Sequence, residues 1–505
     1  MKLEENLAEM ERAREAYWLR YPSTSPFKLE WRAIAVRHCF HVLPGERILE
    51  LGAGSGLWTE HLTEVLRGEN PIVATVFNDD FAAAAATRRL PNVTFEKVTS
   101  LADLPAESFD YIVGTAILCH DMYALNLRAL LRLLKPGGQI LFFEANYWNP
   151  QAIVKRFLPQ RWVGQAPCQV SLRKYKLMQI ASQQGFIDLD VIPYDIIHPL
   201  APRFAISALR SLAFAVEHAP LLKELCGTLY IRAQKPGRDE ERPPNVNLAN
   251  HPALYGTVSF VAPCHNEEMN VERLVDSLVG FYGPYIHEIV IVNDNSKDRT
   301  ADVAREVAKR EPRVKLVDRT PPNGVGRALR DGYAAATGRY ILSMDSDFVQ
   351  ILPEFRDMFD AIANGRDGAI GSRFSHESLL INYPFFKILC NRMFHIMANL
   401  LLPVRMRDIS NNLKLYKAEI FKTIQLEQPH FAANVETGLK PLLAGYDIQE
   451  VPISWINRTI DMGSSSFRIA NVAPSYFKAL VAMVWNSWHE RKQMAPNSKD
   501  SAIGP

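Results

Sequence analysis

The pattern of apolar and polar positions in the second half of the chain predicts a sheet whose strands end in polar side chains. Short apolar runs in VSFVAPCHNEE (258–268), EIVIVNDNSKDRT (288–300) and YILSMDSDFVQ (340–350) each continue into acidic or amide residues. Buried strands that alternate with helical segments are typical of an open α/β sheet, which binds ligands at its carboxyl edge. Asp345 and Asp347 lie two positions apart at such an edge. In extended chain they point the same way, so together they can hold one divalent cation.

The first half of the chain has the same alternation from about Arg47 onward. Strand-like runs occur in RILELGAGSGLW (47–58), IVATVF (72–77), FDYIVGTAILCHD (109–121) and GQILFFEAN (138–146). The glycines after the first run allow the backbone to approach a ligand closely and lead into a helix N-terminus. Leu57 stands where the dinucleotide pattern GxGxxG has its third glycine, which argues against NAD.

A stretch rich in proline and charge, KPGRDEERPPNVNLANHPALY (235–255), separates the two halves. It has no apolar period and several breakers, which is typical of a linker. We therefore expect a first domain at residues 1–236, a linker at 237–254, a second domain at 255–492 and a disordered tail at 493–505. The halves share no order of motifs, so the predicted fold is a fusion of two Rossmann-like α/β domains and not an internal repeat.

Composition narrows the classes of partner and compartment. The formal net charge of the 505 residues is only +2, which predicts no nucleic-acid partner. The six cysteines form no CxxC pair, as is typical of free thiols in a reducing compartment. The charged N-terminus, with a helical pattern at residues 3–20, is unlike a signal peptide, and no run of eighteen apolar residues occurs. The expected location is the cytoplasm, with peripheral contact at the inner membrane surface as an alternative.

The motifs of the first half, taken as a set, resemble those of class I methyltransferases that use S-adenosylmethionine. ILELGAGSG, the acid after the second strand, FDYIV and LLKPGGQILFFE carry the resemblance. It implies a class I methyltransferase fold, with the glycine-rich loop beside the methionine part of the cofactor and an acid on the ribose. The residues that it implies for the cofactor are Glu50, Gly52, Gly54, Gly56, Asn78, Asp79 and Ser100.

Alternatives remain for the ribose-binding acid and for a catalytic base, and the position near the adenine departs from the usual pattern. Asp79 is the better match to the ribose-binding acid, but Asn78 competes because the strand end is ambiguous by one residue. Ser100 stands where these enzymes often carry an aspartate near the adenine. His120, in the turn after the fourth strand, is the candidate general base for an oxygen nucleophile; alternatively it only hydrogen-bonds the turn.

The order of motifs in the second half resembles family 2 glycosyltransferases, and within them the polyprenyl-phosphate sugar transferases typified by dolichyl-phosphate mannose synthase. The resemblance implies a GT-A fold, a nucleotide-sugar donor and inversion at the anomeric carbon. Pro263 and Glu267 match positions near the nucleobase, and Asp294 matches the acid that reads the base, while Asn293 replaces the first acid of that pair. Gly324 precedes a helix whose N–H groups can face phosphate; an ordinary glycine loop is the alternative.

The same resemblance assigns the phosphate-binding groups. Asp345 and Asp347 would hold Mg²⁺ or Mn²⁺, and Asp345 would also contact the donor. Arg373 in GSRF and Arg458 in WINR match arginines that meet phosphate or acceptor. Relatives often carry a lysine after the second arginine, whereas this turn reads GSSS (463–466). Three acceptor classes therefore stay open: a lipid phosphate, a glycan or a small metabolite.

Two carboxylates are candidates for a catalytic base. A phosphate acceptor is already anionic and needs no base, whereas a hydroxyl acceptor needs one. Asp408 in RMRDISNNLKLY and Glu436 in ANVETGL are the candidates, and the alternative for both is a structural role. Apolar stripes at 386–401 and 477–488 predict helices that either lie in a membrane interface or pack in a core.

These motifs together predict a bifunctional enzyme. One reaction is methyl transfer from S-adenosylmethionine, and the other is metal-dependent, inverting sugar transfer from a nucleotide-sugar. One alternative is a glycosyltransferase whose first domain only binds the cofactor or a partner. The other is a membrane-recruited scaffold with two degenerate sites.

Overall fold

The chain forms two compact units, Met1–Pro243 and Pro244–Pro505. The computed structural model describes residues 3–118, 123–158, 173–237, 246–381, 383–456 and 469–494. Within these ranges each unit has its own seven-stranded sheet, and the second unit has an additional two-stranded sheet. The predicted α/β fold with two Rossmann-like sheets is confirmed.

The first unit alternates strands and helices after two N-terminal helices. Its helices are α1 (Leu3–Arg20), α2 (Ser25–Phe40), α3 (Leu57–Val65), α4 (Asp79–Ala86), α5 (Tyr123–Leu133), α6 (Pro150–Phe157), α7 (Lys174–Gln183) and α8 (Ile206–His218). Its strands are β1 (Ile48–Leu51), β2 (Ile72–Val76), β3 (Val93–Lys97), β4 (Phe109–Thr115), β5 (Leu134–Ala145), β6 (Ile187–Tyr194) and β7 (Thr228–Gln234).

The strand order of the first sheet is β3-β2-β1-β4-β5-β7-β6. Only β7 runs antiparallel to its neighbours, pairing Phe142 with Ile231 and Ile231 with Val191. The residues of β1 and β2 are all buried, as expected for parallel strands covered on both faces. The order reverses between β1 and β4, so a ligand crevice is expected outside the carboxyl ends of these two strands.

The second unit begins its sheet at the first of the sequence motifs. Its strands are β8 (Val258–Cys264), β9 (Ile286–Asn293), β10 (Val314–Asp318), β11 (Tyr340–Ser343), β12 (Gly368–Ser372), β13 (Leu380–Ile381), β14 (Lys414–Lys417), β15 (Ile448–Pro452) and β16 (Trp455–Ile456). Its helices are α9 (Val271–Tyr282), α10 (Thr300–Arg310), α11 (Val325–Ala335), α12 (Arg356–Ala363), α13 (Phe385–Leu401), α14 (Ala418–Thr423), α15 (Ala433–Leu443) and α16 (Ile469–Met494).

The strand order of the second sheet is β10-β9-β8-β11-β14-β12-β15, and β14 is antiparallel to both of its neighbours. The first residue of β14, Lys414, pairs with the last residue of β11, Ser343, and with Ile370 of β12. The chain that enters β14 therefore reaches the edge of the sheet at which β11 and β12 end. This register brings the segment before Lys414 to the carboxyl ends of β11 and β12.

The end of the predicted linker differs from the sequence expectation, because part of it packs on the second unit. Leu248 is 3% exposed, and its N–H donates to Phe281 O at 2.7 Å. The hydroxyl of Tyr285 accepts N–H groups from Asn250 and His251. Isolated apolar residues among prolines and amides gave no periodic signal for this contact. At the other end of the unit, α16 continues to Met494, and residues 495–505 lie outside the described residues.

Candidate functional site

A cavity of about 1400 Å³ opens in the second unit. It lies where β8, β9 and β11 end, and it receives most of the predicted donor-binding side chains. Its lining includes Pro263, Glu267, Asp294, Asp345, Asp347 and Arg373. The register of the sheet thus brings together residues up to 110 positions apart in the chain.

Asp345 is held in place by a chain of side-chain hydrogen bonds that starts at Tyr333 on helix α11. Tyr333 Oη donates to Ser343 Oγ at 2.9 Å, and Ser343 Oγ donates to Asn412 Oδ1 at 2.8 Å. Asn412 Nδ2 then donates to Asp345 Oδ1 at 2.8 Å. Asn412 was missed at the sequence level, because its position two residues before β14 carries no signal until the strand pairing is known. Its amide fixes the orientation of one of the two predicted metal-binding carboxylates.

The donor set at Asp345 and Asp347 fits a hard cation that is shared with a substrate. Within the described residues, no group of three or more His, Cys, Asp or Glu side chains is placed to hold a metal ion. Mg²⁺ is usually held by one or two carboxylates together with substrate phosphates and water. Two carboxylates at the edge of a large cavity match that mode of binding.

Asp294 and Gly324 lie in direct contact, although the sequence predicts separate roles for them. The Gly324 N–H donates to Asp294 Oδ2 at 2.7 Å, and Arg319 pairs with the other carboxylate oxygen. Arg319 also pairs with Asp331 at 2.5 Å. In this arrangement the Gly324 N–H is committed to Asp294. Asn293, which replaces the first acid of the pair, donates to Asp318 Oδ1 at 2.7 Å.

Arg373 and Asp408 form a buried bidentate ion pair. Arg373 Nε and Nη2 donate to the two carboxylate oxygens at 2.7 and 3.0 Å, and the Arg373 N–H donates at 3.1 Å. Burial by itself would raise the pKa of Asp408, but the guanidinium and its hydrogen bonds hold that pKa below its usual range. An ionised carboxylate that is saturated by arginine is a very weak base. The geometry therefore favours a positioning role for Asp408, with Arg373 directed to the cavity that it lines.

Two further ionisable groups beside this pair were not found from the sequence. His395 Nε2 accepts the Ile409 N–H at 2.7 Å, and burial lowers the pKa of His395 to about 4, so the ring is neutral. Burial also lowers the pKa of Lys414 to about 7, with the carboxylates of Asp408 and Asp345 opposing that shift. A lone histidine in an apolar helix and a lone lysine at the start of a short strand carry no signal of their own at the sequence level.

Glu436 is absent from the lining of this cavity. Its Oε2 accepts the N–H groups of Glu427 and Gln428 at 3.0 and 2.8 Å, and its Oε1 pairs with Lys440 at 2.8 Å. The side chain is buried, and its oxygens hold the turn that precedes α15. These contacts favour a structural role for Glu436 over that of a catalytic base.

An apolar part of the cavity wall is contributed by α13 and α16. One side of each helix is buried in a common core that includes Ala398, Tyr476 and Leu480. The two helices also contribute apolar side chains to the cavity wall, namely Met393, Phe394, Ile396, Met397, Leu400, Leu401 and Phe477. Several of these are well exposed, with Leu400 at 80% and Met393 at 62%. In the described part of the chain, no helix combines the length and the apolar character needed to span a bilayer.

The glycine-rich loop of the first unit follows β1 directly. Gly52 and Gly54 have φ values of +68° and +59°, which favour glycine. Thr75 on β2 fixes this loop, because its Oγ1 accepts the Gly52 N–H at 3.0 Å and donates to Glu50 O. Glu50 is 1% exposed, and burial raises its pKa to about 7. The structure thus forms the loop that the sequence predicts, with one buried carboxylate beneath it.

Helix α1 lies over this loop and contacts several of the predicted cofactor-binding residues. Glu11 Oε1 accepts the Gly54 N–H at 3.0 Å, and Oε2 accepts Asn78 Nδ2 at 2.6 Å. At the next strand end, Ser100 Oγ donates to Glu4 Oε1 at 2.8 Å. None of these contacts was foreseen, because the charged pattern of residues 3–20 predicts a helix without saying what it covers.

Asp79, the predicted ribose-binding acid, lies apart from this group. It occupies the first turn of α4, its side chain is 83% exposed, and it pairs with Lys97. Asn78, the other candidate for the ribose-binding position, is buried and its side chain donates to Ala8 O of α1. Of the two candidates, Asn78 is therefore the one that lies in the cleft under α1.

Another buried carboxylate lies beyond the end of β4. Glu144 accepts the N–H groups of Ile117 and Leu118 at 3.1 Å, and burial raises its pKa to about 8. His120 and Arg458 lie outside the described residues.

Sequence profiles of two families match the chain. The profile for Glycosyl transferase family 2 matches residues 259–425, and a Methyltransferase domain profile matches residues 28–186. The Dolichol-phosphate mannosyltransferase of Pyrococcus furiosus is 30% identical over 201 residues, which cover 39% of this chain and 56% of that protein. The Polyprenol monophosphomannose synthase of Mycolicibacterium smegmatis is 28% identical over 230 residues, which cover 43% of this chain and 83% of that protein.

Among solved structures, glucosyl-3-phosphoglycerate synthase from Mycobacterium tuberculosis matches with a TM-score of 0.38 and 16% identity. The match covers 49% of this chain and 86% of that one. The chain spans just over half the length of the Pyrococcus protein. On the two profile matches, the chain carries a methyltransferase domain and, after it, a glycosyltransferase domain of family 2.

Proposed function

We propose that the second unit transfers a sugar from a nucleotide-sugar to a polyprenyl phosphate. The observation that carries this proposal is the single cavity that joins the carboxylates after β11 to an apolar wall formed by α13 and α16. Such a cavity suits a polar donor at one end and a lipid chain at the other. The names of the two relatives from Pyrococcus and Mycolicibacterium support the same acceptor class.

Asp345 and Asp347 would hold the divalent cation, Mg²⁺ or Mn²⁺. When bound, the cation supplies positive charge to the diphosphate that leaves the sugar, which stabilises the transition state more than the substrate. Asn412 orients Asp345 for this task through its hydrogen bond of 2.8 Å. Pro263, Glu267 and Asp294 would bind the nucleoside.

A phosphate acceptor agrees with the state of the two predicted bases. Asp408 is paired with Arg373, and Glu436 is bound to Lys440 and two N–H groups, so neither is poised to take a proton. An anionic phosphate oxygen needs no such base. Arg373, rigidly held by Asp408 and lining the cavity, is the group that would bind the phosphate, because a guanidinium matches its geometry.

The exposed apolar side chains of α13 and α16 would lie against the membrane that contains the lipid acceptor. Helices with one apolar face bind in this way without crossing the bilayer.

For the first unit, we propose methyl transfer from S-adenosylmethionine. The family profile and the glycine-rich loop after β1 support this proposal.

The test is a panel of nucleotide-sugars with Mn²⁺ or Mg²⁺, assayed with a short polyprenyl phosphate and with water-soluble sugars as acceptors. Asp347→Asn is expected to abolish metal-dependent transfer. Asp276→Asn, which removes an exposed carboxylate on α9, serves as the matched control and should retain full activity. Transfer to soluble sugars but not to the lipid phosphate would contradict the proposed acceptor. Activity that survives in the Asp347 variant would contradict the metal site.

A further inference from the structure

Side chains of helix α1 form hydrogen bonds with the polar groups that line the predicted cofactor cleft. Glu11 is the central contact, because its carboxylate accepts N–H donors from Gly54 and Phe77, both at 3.0 Å, and from the Asn78 side chain. Glu15 accepts from Ser55 in the glycine-rich loop. These donors lie at the carboxyl ends of β1 and β2, where the crevice of this fold is expected.

The space above the loop is also filled by α1. A methyl group placed on Gly54 would lie 2.5 Å from Glu15 Oε2 and 3.0 Å from the Arg14 guanidinium. Arg14 Nη1 donates to Thr115 O at the end of β4, at 3.4 Å. A ligand lying on the loop would therefore collide with side chains of α1.

Apolar contacts hold the helix down along the same cleft. Leu7 and Met10 are 0% and 2% exposed, and they share a core cluster with Val98 and Leu101, which flank the predicted adenine position. From Glu4 to Glu15 the helix advances about 16 Å at 1.5 Å per residue, enough to cover the adenine, ribose and methionine positions. With α1 in this position, the residues present do not fit the cofactor.

We propose that α1 is an internal competitor of the cofactor and that Glu11 is its anchor. The methyltransferase unit then exchanges between a closed form, in which α1 fills the cleft, and an open form that binds S-adenosylmethionine. The inference rests on the proposed cofactor of the first unit. The apparent affinity is lowered by the fraction of molecules that are closed, so weakening the contact of α1 strengthens cofactor binding.

The test measures binding of S-adenosylmethionine to the full-length chain by calorimetry. Glu11→Ala removes the anchor and is expected to lower the dissociation constant by about tenfold or more, because it raises the open fraction. The control is Arg12→Gln. Arg12 lies on the same helix with an exposed side chain, so this substitution should leave binding unchanged. Weaker or equal binding by Glu11→Ala would overturn the proposal, and weaker binding would make Glu11 a cofactor ligand.

Amide hydrogen exchange of the wild-type chain is a second test of the closed and open forms, and it needs no variant. If α1 leaves the cleft, saturating cofactor speeds exchange of the amides of residues 3–20. Slower exchange there would overturn the proposal, since α1 would then close over the bound cofactor. Binding by neither wild type nor Glu11→Ala would overturn both the proposed cofactor and the inference that depends on it.

Discussion

At the scale of single residues, the role of a carboxylate follows from its partners. Asp345 follows β11, and Asp408 lies in the segment that precedes β14. Asp345 is held by an amide and lines the cavity, whereas Asp408 is neutralised by Arg373 and is absent from the cavity lining. One is therefore suited to bind a cation, and the other to orient an arginine.

The Arg373–Asp408 pair makes a prediction about stability. Asp408→Asn leaves the buried guanidinium without its counter-charge, so we expect the second unit to lose about 3–5 kcal/mol of unfolding free energy. Sugar transfer should fall as well. Urea unfolding measures the loss. Asp276→Asn breaks an exposed pair with Arg310 and should cost less than about 1 kcal/mol. Equal losses of unfolding free energy in Asp408→Asn and Asp276→Asn would contradict a buried Arg373–Asp408 pair.

His395 makes a prediction about pH. Its pKa is about 4 in the folded unit, below the value of about 6.5 in an unfolded chain. The unfolded chain therefore binds more protons between these values, and stability falls as the pH drops from 6.5 through 4. The contribution is up to about 3 kcal/mol. In His395→Gln, which cannot titrate, unfolding free energy measured against pH should show a smaller fall over this window. Identical pH profiles would exclude a neutral, buried histidine.

Residue types and local order predicted one part of the site and not the other. Asp345 and Asp347 could be predicted because strand, acid and spacing are adjacent in the chain, and both line the cavity. Arg373 lines it too, but nothing in the sequence indicated its ion pair with Asp408, because the two are 35 positions apart and meet only through the pairing of β14. Asn412, His395 and Lys414 depend on the same pairing, which no local pattern encodes.

At the scale of elements, the pattern of residues identified α1, α13 and part of α16 but not the surface that each helix covers. The stripe of α13 allowed either a core or a membrane interface, and in the structure one side of the helix is buried while apolar side chains on another side are exposed. Ala398 and Ile388 are buried, while Leu400 and Met393 are exposed beside the cavity. For α1, the charged pattern concealed a buried face, since Glu11 and Arg14 are 0% and 4% exposed. The hydrogen bonds of Glu11 to the glycine-rich loop and of Arg14 to Thr115 O satisfy charges that sequence alone would place in water.

The exposed stripe makes a prediction about lipid substrates. Met393→Glu and Leu400→Glu place charge on the proposed membrane-facing side of α13 without disturbing its buried side. We expect weaker binding to vesicles in sedimentation and a higher KM for a long-chain polyprenyl phosphate, with little change in kcat. The control is Tyr175→Glu, at an 81% exposed position on α7. Unchanged vesicle binding in both α13 variants would argue against contact with the membrane.

At the scale of the whole molecule, each unit has its own sheet and its own buried clusters. We expect two transitions in calorimetry, because units with separate cores usually unfold separately. Asp408→Asn should lower the midpoint temperature of the second unit's transition only. A nucleoside diphosphate with Mn²⁺ should raise the midpoint temperature of that same transition, by about 2–4 °C for each kcal/mol of binding energy. If calorimetry shows one transition, and both the substitution and the ligand shift it, the two units unfold together.

The antiparallel strand β14 has a consequence for how such enzymes diversify. Because β14 runs against its neighbours, the loop that enters it, and not only the loops that leave parallel strands, reaches the edge of the cavity. This loop carries Asp408 and Asn412, whereas β8, β9 and β11 deliver the proposed donor-binding residues. Insertions and substitutions around Asp408 can therefore change what is recognised beside Arg373, while the nucleotide-binding residues and Asn412, which orients Asp345, stay unchanged. Acceptor preference is accordingly expected to diverge faster than donor preference among descendants of this fold.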